Sequence, residues 1–168
     1  VRGIVDTSDL PLNISREMIQ ESPVLAAIKK GVTSRIISAL EKMAETEAET
    51  FSKIWDLFGA ILKEGIYDDF ERRSQLLKLS RFRSTASGEA TRSLADYLTS
   101  MKEGQSAIYY ISGSNLDQLK SSPHLEGFRA KGIEVLLLTD GVDSFWPTNV
   151  ADFEGKPFKS VTQGLADL

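Results

Sequence analysis

From Val24 onward, apolar residues recur at three- and four-residue steps. Val24, Leu25, Ile28, Val32, Ile36, Leu40 and Met43 all fall on one side of a helical repeat. The spacing predicts an amphipathic helix opened by Ser22 as cap, with Pro23 in the first turn. A second helix is predicted from Thr46, which with Glu49 three residues on has the form of a capping box. Its stripe is Phe51, Ile54, Trp55, Phe58, Ile61 and Leu62, with Gly65 as a natural stop. Trp55 and Phe58 are both expected in the core. A third, weaker pattern runs from about Asp68 through Phe70, Leu76, Leu77 and Leu79. Successive amphipathic helices with short connections predict a helical coil over residues 23–83.

Beyond Phe82 the period changes. Ser84-Thr85-Ala86-Ser87-Gly88 reads as a polar loop, and Ser93 caps a short helix carrying Leu94, Tyr97, Leu98 and Met101. Ala107–Ile111 and Ile133–Thr139 are nearly continuous apolar runs, the pattern of strands buried on both faces. Residues 158–162 offer a third strand. Leu116 and Leu119 mark one helix between the first two strands, and Ser122-Pro123 opens another that ends near Lys131-Gly132. Strand, helix and strand in alternation predict a small three-layer α/β/α unit over residues 84–168, built on a short parallel sheet. At the other end, Val1-Arg2-Gly3-Ile4-Val5-Asp6 reads as a strand entered mid-protein, followed by a turn-rich loop. Pro11 forces Leu10 out of helical geometry, and Asn13 and Ser15 can each cap a helix through Arg16-Glu17-Met18-Ile19-Gln20.

Composition narrows the chemistry more than it names it. With 41% hydrophobic and 26% charged residues, the chain has the makings of a packed core. A formal net charge of −4 argues against a nucleic-acid backbone binder. The absence of cysteine excludes disulfides, thiolate catalysis and zinc–thiolate sites, and a single histidine, His124, excludes a multi-histidine metal centre. No metal site is expected. No apolar run approaches the roughly 20 residues of a membrane span. Phosphate-loop, dinucleotide and nucleophile-elbow motifs are missing. Asp68, Asp69 and Glu71 suit a first helical turn better than a metal site, and Asn13-Ile14-Ser15 matches a glycosylation acceptor that no secretory feature supports. A cytoplasmic fragment is the expectation.

The loop Asp6–Gln20 carries the specific signal. Together with WDLFGAILKEG (55–65), YLTSMKEGQSAIYYI (97–111), SSPHLE (121–126), KGIEVLLL (131–138) and FEGKPFKSV (153–161), it resembles the ninety-kilodalton heat-shock chaperone (heat shock protein 90) family, its bacterial branch above all. The blocks follow one another in the family's order and cover nearly the whole chain. The resemblance implies the later part of the family's middle domain. Residues 1–22 would then be the end of a larger α/β unit that carries a catalytic loop.

The resemblance also implies roles. Arg16 would reach the γ-phosphate of ATP held with Mg by an amino-terminal domain, with Gln20 as its polar associate and Leu10, Asn13 and Ser15 supporting the loop. Arg16 and Gln20 are four apart and so share a helical face, and a guanidinium fork matches phosphate oxygens. The partners implied are that ATPase domain, a carboxy-terminal dimerisation domain, a second copy in the full-length homodimer, and unfolded or partly folded client proteins. No cofactor or hydrolysis is expected of this segment alone. Client contact is implied near Phe145 and Trp146, where Ser144 and Phe145 stand in place of the family's usual acidic residue and tryptophan. Neighbouring helical side chains diverge by about 100°, so one of the two aromatics is expected to be exposed. The competing reading is a stand-alone α/β enzyme or ligand-binding domain, with a pocket at the carboxyl ends of strands 107–111 and 133–139.

Overall fold

The structure, a computed structural model, describes Ile4 and residues 23–163. Helix α1 spans Pro23–Thr46, but its one buried residue, Ile37, lies outside the predicted stripe, whose members are half-buried or exposed. Ile37 is fully enclosed and Leu40, Met43 and Ala44 pack beside it, whereas Val24 and Val32 stay exposed. Thr46 closes α1 instead of opening the next helix: its hydroxyl donates back to the Lys42 carbonyl at 2.8 Å. The expected capping box therefore does not form, and α2 (Ala48–Asp68) starts without a side-chain cap.

The buried line of α2 is Phe51, Trp55, Gly59, Lys63 and Ile66. This arc is rotated by roughly 70° from the predicted stripe at 100° per residue. Phe58, expected in the core, is 41% exposed, and Ile61 is 63% exposed. Gly65 does not stop the helix. A Cβ there would stand 2.7 Å from Leu76 Cδ1, so the glycine lets α3 (Arg73–Leu79) pack close. Helix α3 is shorter than predicted and buries Leu76, Leu77 and Leu79. Phe70 lies before it in a turn, 80% exposed, because Asp69 accepts from the Arg72 backbone and guanidinium and breaks the helix there.

The sheet contains the three predicted parallel strands and two more. These are β1 (Arg81–Ser84), β2 (Arg92–Ser93), β3 (Ile108–Ser112), β4 (Leu136–Leu138) and β5 (Phe158–Ser160), in the order β2-β1-β4-β3-β5. Strand β3 pairs in parallel with β4 (Tyr110 opposite Leu136) and with β5 (Ile108 opposite Phe158). Strand β1, which the sequence placed at the end of the coil, runs antiparallel to β4 and β2. The predicted run 133–139 contributes only its last residues to the ladder. Between strands lie α4 (Leu94–Thr99), α5 (Leu116–Lys120), α6 (Glu126–Ala130) and α7 (Trp146–Asn149). Ser93 and Asp96 make a reciprocal capping box at α4.

The two sheet faces bury different sets. On one, Tyr109, Ile111 and Leu137 pack with Leu119, Leu125 and Phe128 of the α5–α6 layer. On the other, Phe82, Ile108, Tyr110, Leu136 and Leu138 join α1, α2 and α3 through Ile37, Trp55, Ile66 and Leu77 in one continuous core. This gives the expected α/β class and three layers, with the helical coil packed directly on the sheet. Tyr97 ties the layers: its hydroxyl donates to the Glu134 carbonyl at 2.7 Å and accepts from Gln105 Nε2 and the Tyr109 N–H at 3.0 Å. Burial, first of all, holds its phenol well above the usual tyrosine range. Among the described residues no helix is long and apolar enough to cross a membrane.

Candidate functional site

Leu10, Asn13, Ser15, Arg16 and Gln20 lie outside the described residues. The site that the structure does build sits where the chain leaves β4. After Leu138 the backbone turns through Asp140 and the tight helical turn Gly141–Ser144 into Phe145 and α7. Asp143 organises the turn. Its carboxylate is 1% exposed; it accepts from the Asp140 N–H at 2.9 Å and from Trp146 Nε1 at 2.7 Å.

A buried carboxylate needs a counter-charge, and α2 supplies it. Lys63 is 5% exposed. Its Nζ donates to both Asp143 oxygens at 3.1 Å and to Asp140 Oδ2 at 2.9 Å, and lies 5.1 Å from the Phe82 ring centroid. The ammonium thus ties the coil to the loop after β4 by two carboxylates and an aromatic face. Trp146 is fully enclosed below it, with its ring centroid 5.7 Å from that of Phe82 and 5.2 Å from that of Phe158. Phe145, one residue earlier, is 58% exposed, and its ring meets Tyr67 of α2 edge-on at 6.1 Å. Of the two candidate contact residues, only Phe145 presents surface; Trp146 anchors the loop that carries it.

Sequence reasoning passed over Lys63 and Tyr67. The signal for Lys63 was present, since it lies four residues after the buried Gly59 and eight after Trp55, but a lysine adds nothing to a hydropathy stripe. His124 is exposed on the turn before α6, its N–H bonded to Ser122 Oγ. The acidic residues 69 and 71 form ion pairs, Asp69 with Arg72 at 3.0 Å and Glu71 with Lys30 at 3.7 Å. Among the described residues no group of three or more His, Asp or Glu is arranged to hold a metal.

A groove of about 240 Å³ opens at the carboxyl end of β4, lined by Trp55, Gly59, Lys63, Arg81, Thr139 and Asp140 among others. The enzyme reading requires a pocket at the carboxyl ends of strands 107–111 and 133–139, and only the second of these lines the groove, through Leu137 and Thr139. Three cations line it: Lys63 is engaged as above, Arg81 bonds the carbonyls of Lys78, Leu79 and Ser80 and lies over the Phe51 ring, and Arg83 is half-buried at its wall. Desolvation by burial lowers the Arg81 pKa from its ordinary value.

The family described as Hsp90 protein matches residues 1–168. The chain is 68% identical over 168 residues to the chaperone protein HtpG of Rhizobium meliloti, covering 100% of this chain and 27% of that protein. It is 65% identical to the HtpG of Mesorhizobium japonicum, with the same coverage of 100% and 27%. The fold matches the middle domain of a Plasmodium falciparum heat shock protein with a TM-score of 0.79 at 31% identity, over 86% of this chain and 61% of that one.

Proposed function

The chain belongs to the Hsp90 family, as a segment of its middle domain, and from that premise we propose that it serves an ATP-driven chaperone by lending Arg16 to a nucleotide held on another domain. One observation carries this reading: the family match runs over every residue, at 68% identity to a bacterial HtpG. The chain spans 27% of that relative's length, so the activity belongs to a longer protein. In it, an amino-terminal domain binds ATP with Mg, a carboxy-terminal domain joins two copies, and the whole works in the cytoplasm on unfolded or partly folded clients.

Arg16 fits the task chemically. A guanidinium keeps its charge at any physiological pH and offers a fixed fork of donors to phosphate oxygens. Delivered only on domain closure, it stabilises charge on the transferred phosphoryl group and couples hydrolysis to shape. Gln20 would share the ligand, and Leu10, Asn13 and Ser15 would hold the loop. Among the described cations, Lys63 is committed to Asp140 and Asp143 and Arg92 to Glu134. Phe145 supplies client contact.

Arg16→Ala in the full-length protein is expected to slow ATP turnover by at least about tenfold while leaving nucleotide affinity nearly unchanged. Turnover equal to wild type in a single-turnover assay would remove Arg16 from the mechanism.

A further inference from the structure

Three large aromatics stand open on one side of the junction between coil and sheet. Tyr67 is 46% exposed, Phe70 80% and Phe145 58%. They come from the last turn of α2, the turn before α3 and the residue before α7. One cation holds these segments in register. Arg73 donates from Nε to the Ile66 carbonyl at 2.7 Å, from Nη1 to the Asn149 carbonyl at 3.2 Å and from Nη2 to the Tyr67 carbonyl at 3.4 Å. Its guanidinium carbon also lies 5.2 Å from the Phe70 ring centroid. The end of α2, the Phe70 turn and the end of α7 are therefore fixed relative to one another before anything binds. Covering a surface ordered in advance costs less side-chain entropy than ordering it on contact.

The charges around the aromatics are uneven. Arg72 is spent on Asp69, the Lys30 carbonyl and Ser34 Oγ. Lys63 is spent beneath the surface on Asp140 and Asp143. Exposed carboxylates remain: Glu64, three residues from Tyr67 on the same helix face, then Asp68, and Glu71, whose 3.7 Å pair with Lys30 is open to water on both sides. The result is an aromatic platform with an acidic rim.

We infer that this platform takes an extended peptide segment in which aromatic or aliphatic side chains stand beside lysine or arginine. The apolar side chains cover Tyr67, Phe70 and Phe145, while the cations meet Glu64, Asp68 and Glu71. An equally apolar segment flanked by carboxylates is repelled. The inference rests on the client-contact reading of Phe145 and adds to it two aromatics, a rim and a preference.

The test uses the full-length protein and two fluorescein-labelled peptides with the same Leu-Phe core, one flanked by lysines and its twin by glutamates. Fluorescence anisotropy is expected to show the lysine peptide binding at least about tenfold tighter. The Tyr67→Ala, Phe70→Ala double variant is expected to lose about tenfold for it with an unchanged melting temperature. Glu64→Gln with Asp68→Asn is expected to narrow the gap between the twins. Equal affinity for the twins overturns the inference. So does wild-type binding by the double variant; if Phe145→Ala then still loses binding, the client reading of Phe145 stands alone. Wild-type binding by Phe145→Ala as well removes both. Variants that change sedimentation and not peptide binding mark the surface as a contact between copies, which also overturns the inference.

Discussion

Lys63 shows how one side chain sets a site without touching a ligand. It lies in the apolar face of α2, yet what it holds is the loop that turns Phe145 outward and Trp146 inward. Its removal is not equivalent to deleting a surface ion pair. Asp143, 1% exposed, would be left without its counter-ion in a dry setting. Lys63→Met, which preserves the aliphatic stem, is therefore expected to cost about 3–5 kcal/mol in a urea titration. Adding Asp143→Asn is expected to recover part of the loss, because the amide oxygen still accepts from Trp146 Nε1 while the buried charge is gone. A single variant within about 1 kcal/mol of wild type would show the ammonium to be dispensable. The sequence reading passed over Lys63, because a lysine adds nothing to a hydropathy stripe even at the spacing of a buried face. By contrast, the division of labour between Phe145 and Trp146 was half legible. Helical geometry required the two to diverge, but only the Asp143 carboxylate decides which one is buried.

At the scale of an element, α2 separates what hydropathy specifies from what packing specifies. The existence of the helix was plain from its period. Its face was not, because apolar residues surround much of the cylinder and the contact with the sheet is completed by Gly59 and Lys63, which hydropathy does not flag. A Cβ on Gly59 would lie 2.7 Å from Cε2 and 2.9 Å from Nε1 of the Trp55 indole. Alanine is the better helix former by about 1 kcal/mol. Trp55, however, is 6% exposed and stacks on Phe51 with ring centroids 6.4 Å apart, so the rigid ring has little room to shift. Overpacking of this kind costs about 1–3 kcal/mol, so the clash is expected to win. Gly59→Ala should thus destabilise in spite of its propensity. Trp55→Ala should cost roughly 3–5 kcal/mol and Phe58→Ala, at an exposed position, under about 1 kcal/mol. A denaturant series that ranked Phe58→Ala beside Trp55→Ala would restore the original stripe.

At the scale of the molecule, the sequence pattern conveyed the class and the parallel strands, since β3 and β4 are apolar on both faces. It missed β1 because Arg81 and Arg83 alternate with Phe82 and Ser84, leaving a single apolar residue to mark the strand. That strand matters for cooperativity. It carries Phe82 into the same core as Trp55, Ile66 and Trp146, so helices and sheet share one apolar cluster that reaches from Ile37 to Phe158. Two polar ties cross the same boundary, Lys63 to Asp143 and Arg73 to the Asn149 carbonyl. Elements that bury each other's surface have no partly folded state in which either half keeps its core, so coil and sheet are expected to unfold in a single transition. The chain's two tryptophans make this measurable, since Trp55 reports on α2 and Trp146 on the far side of the sheet junction. In Trp55→Phe and Trp146→Phe variants, the remaining fluorophore and far-ultraviolet dichroism should give superimposable urea curves. Separate midpoints for tryptophan and backbone within either variant would mean that the helices melt off the sheet. Lys63 would then be a hinge between independently stable parts, not a tie within one.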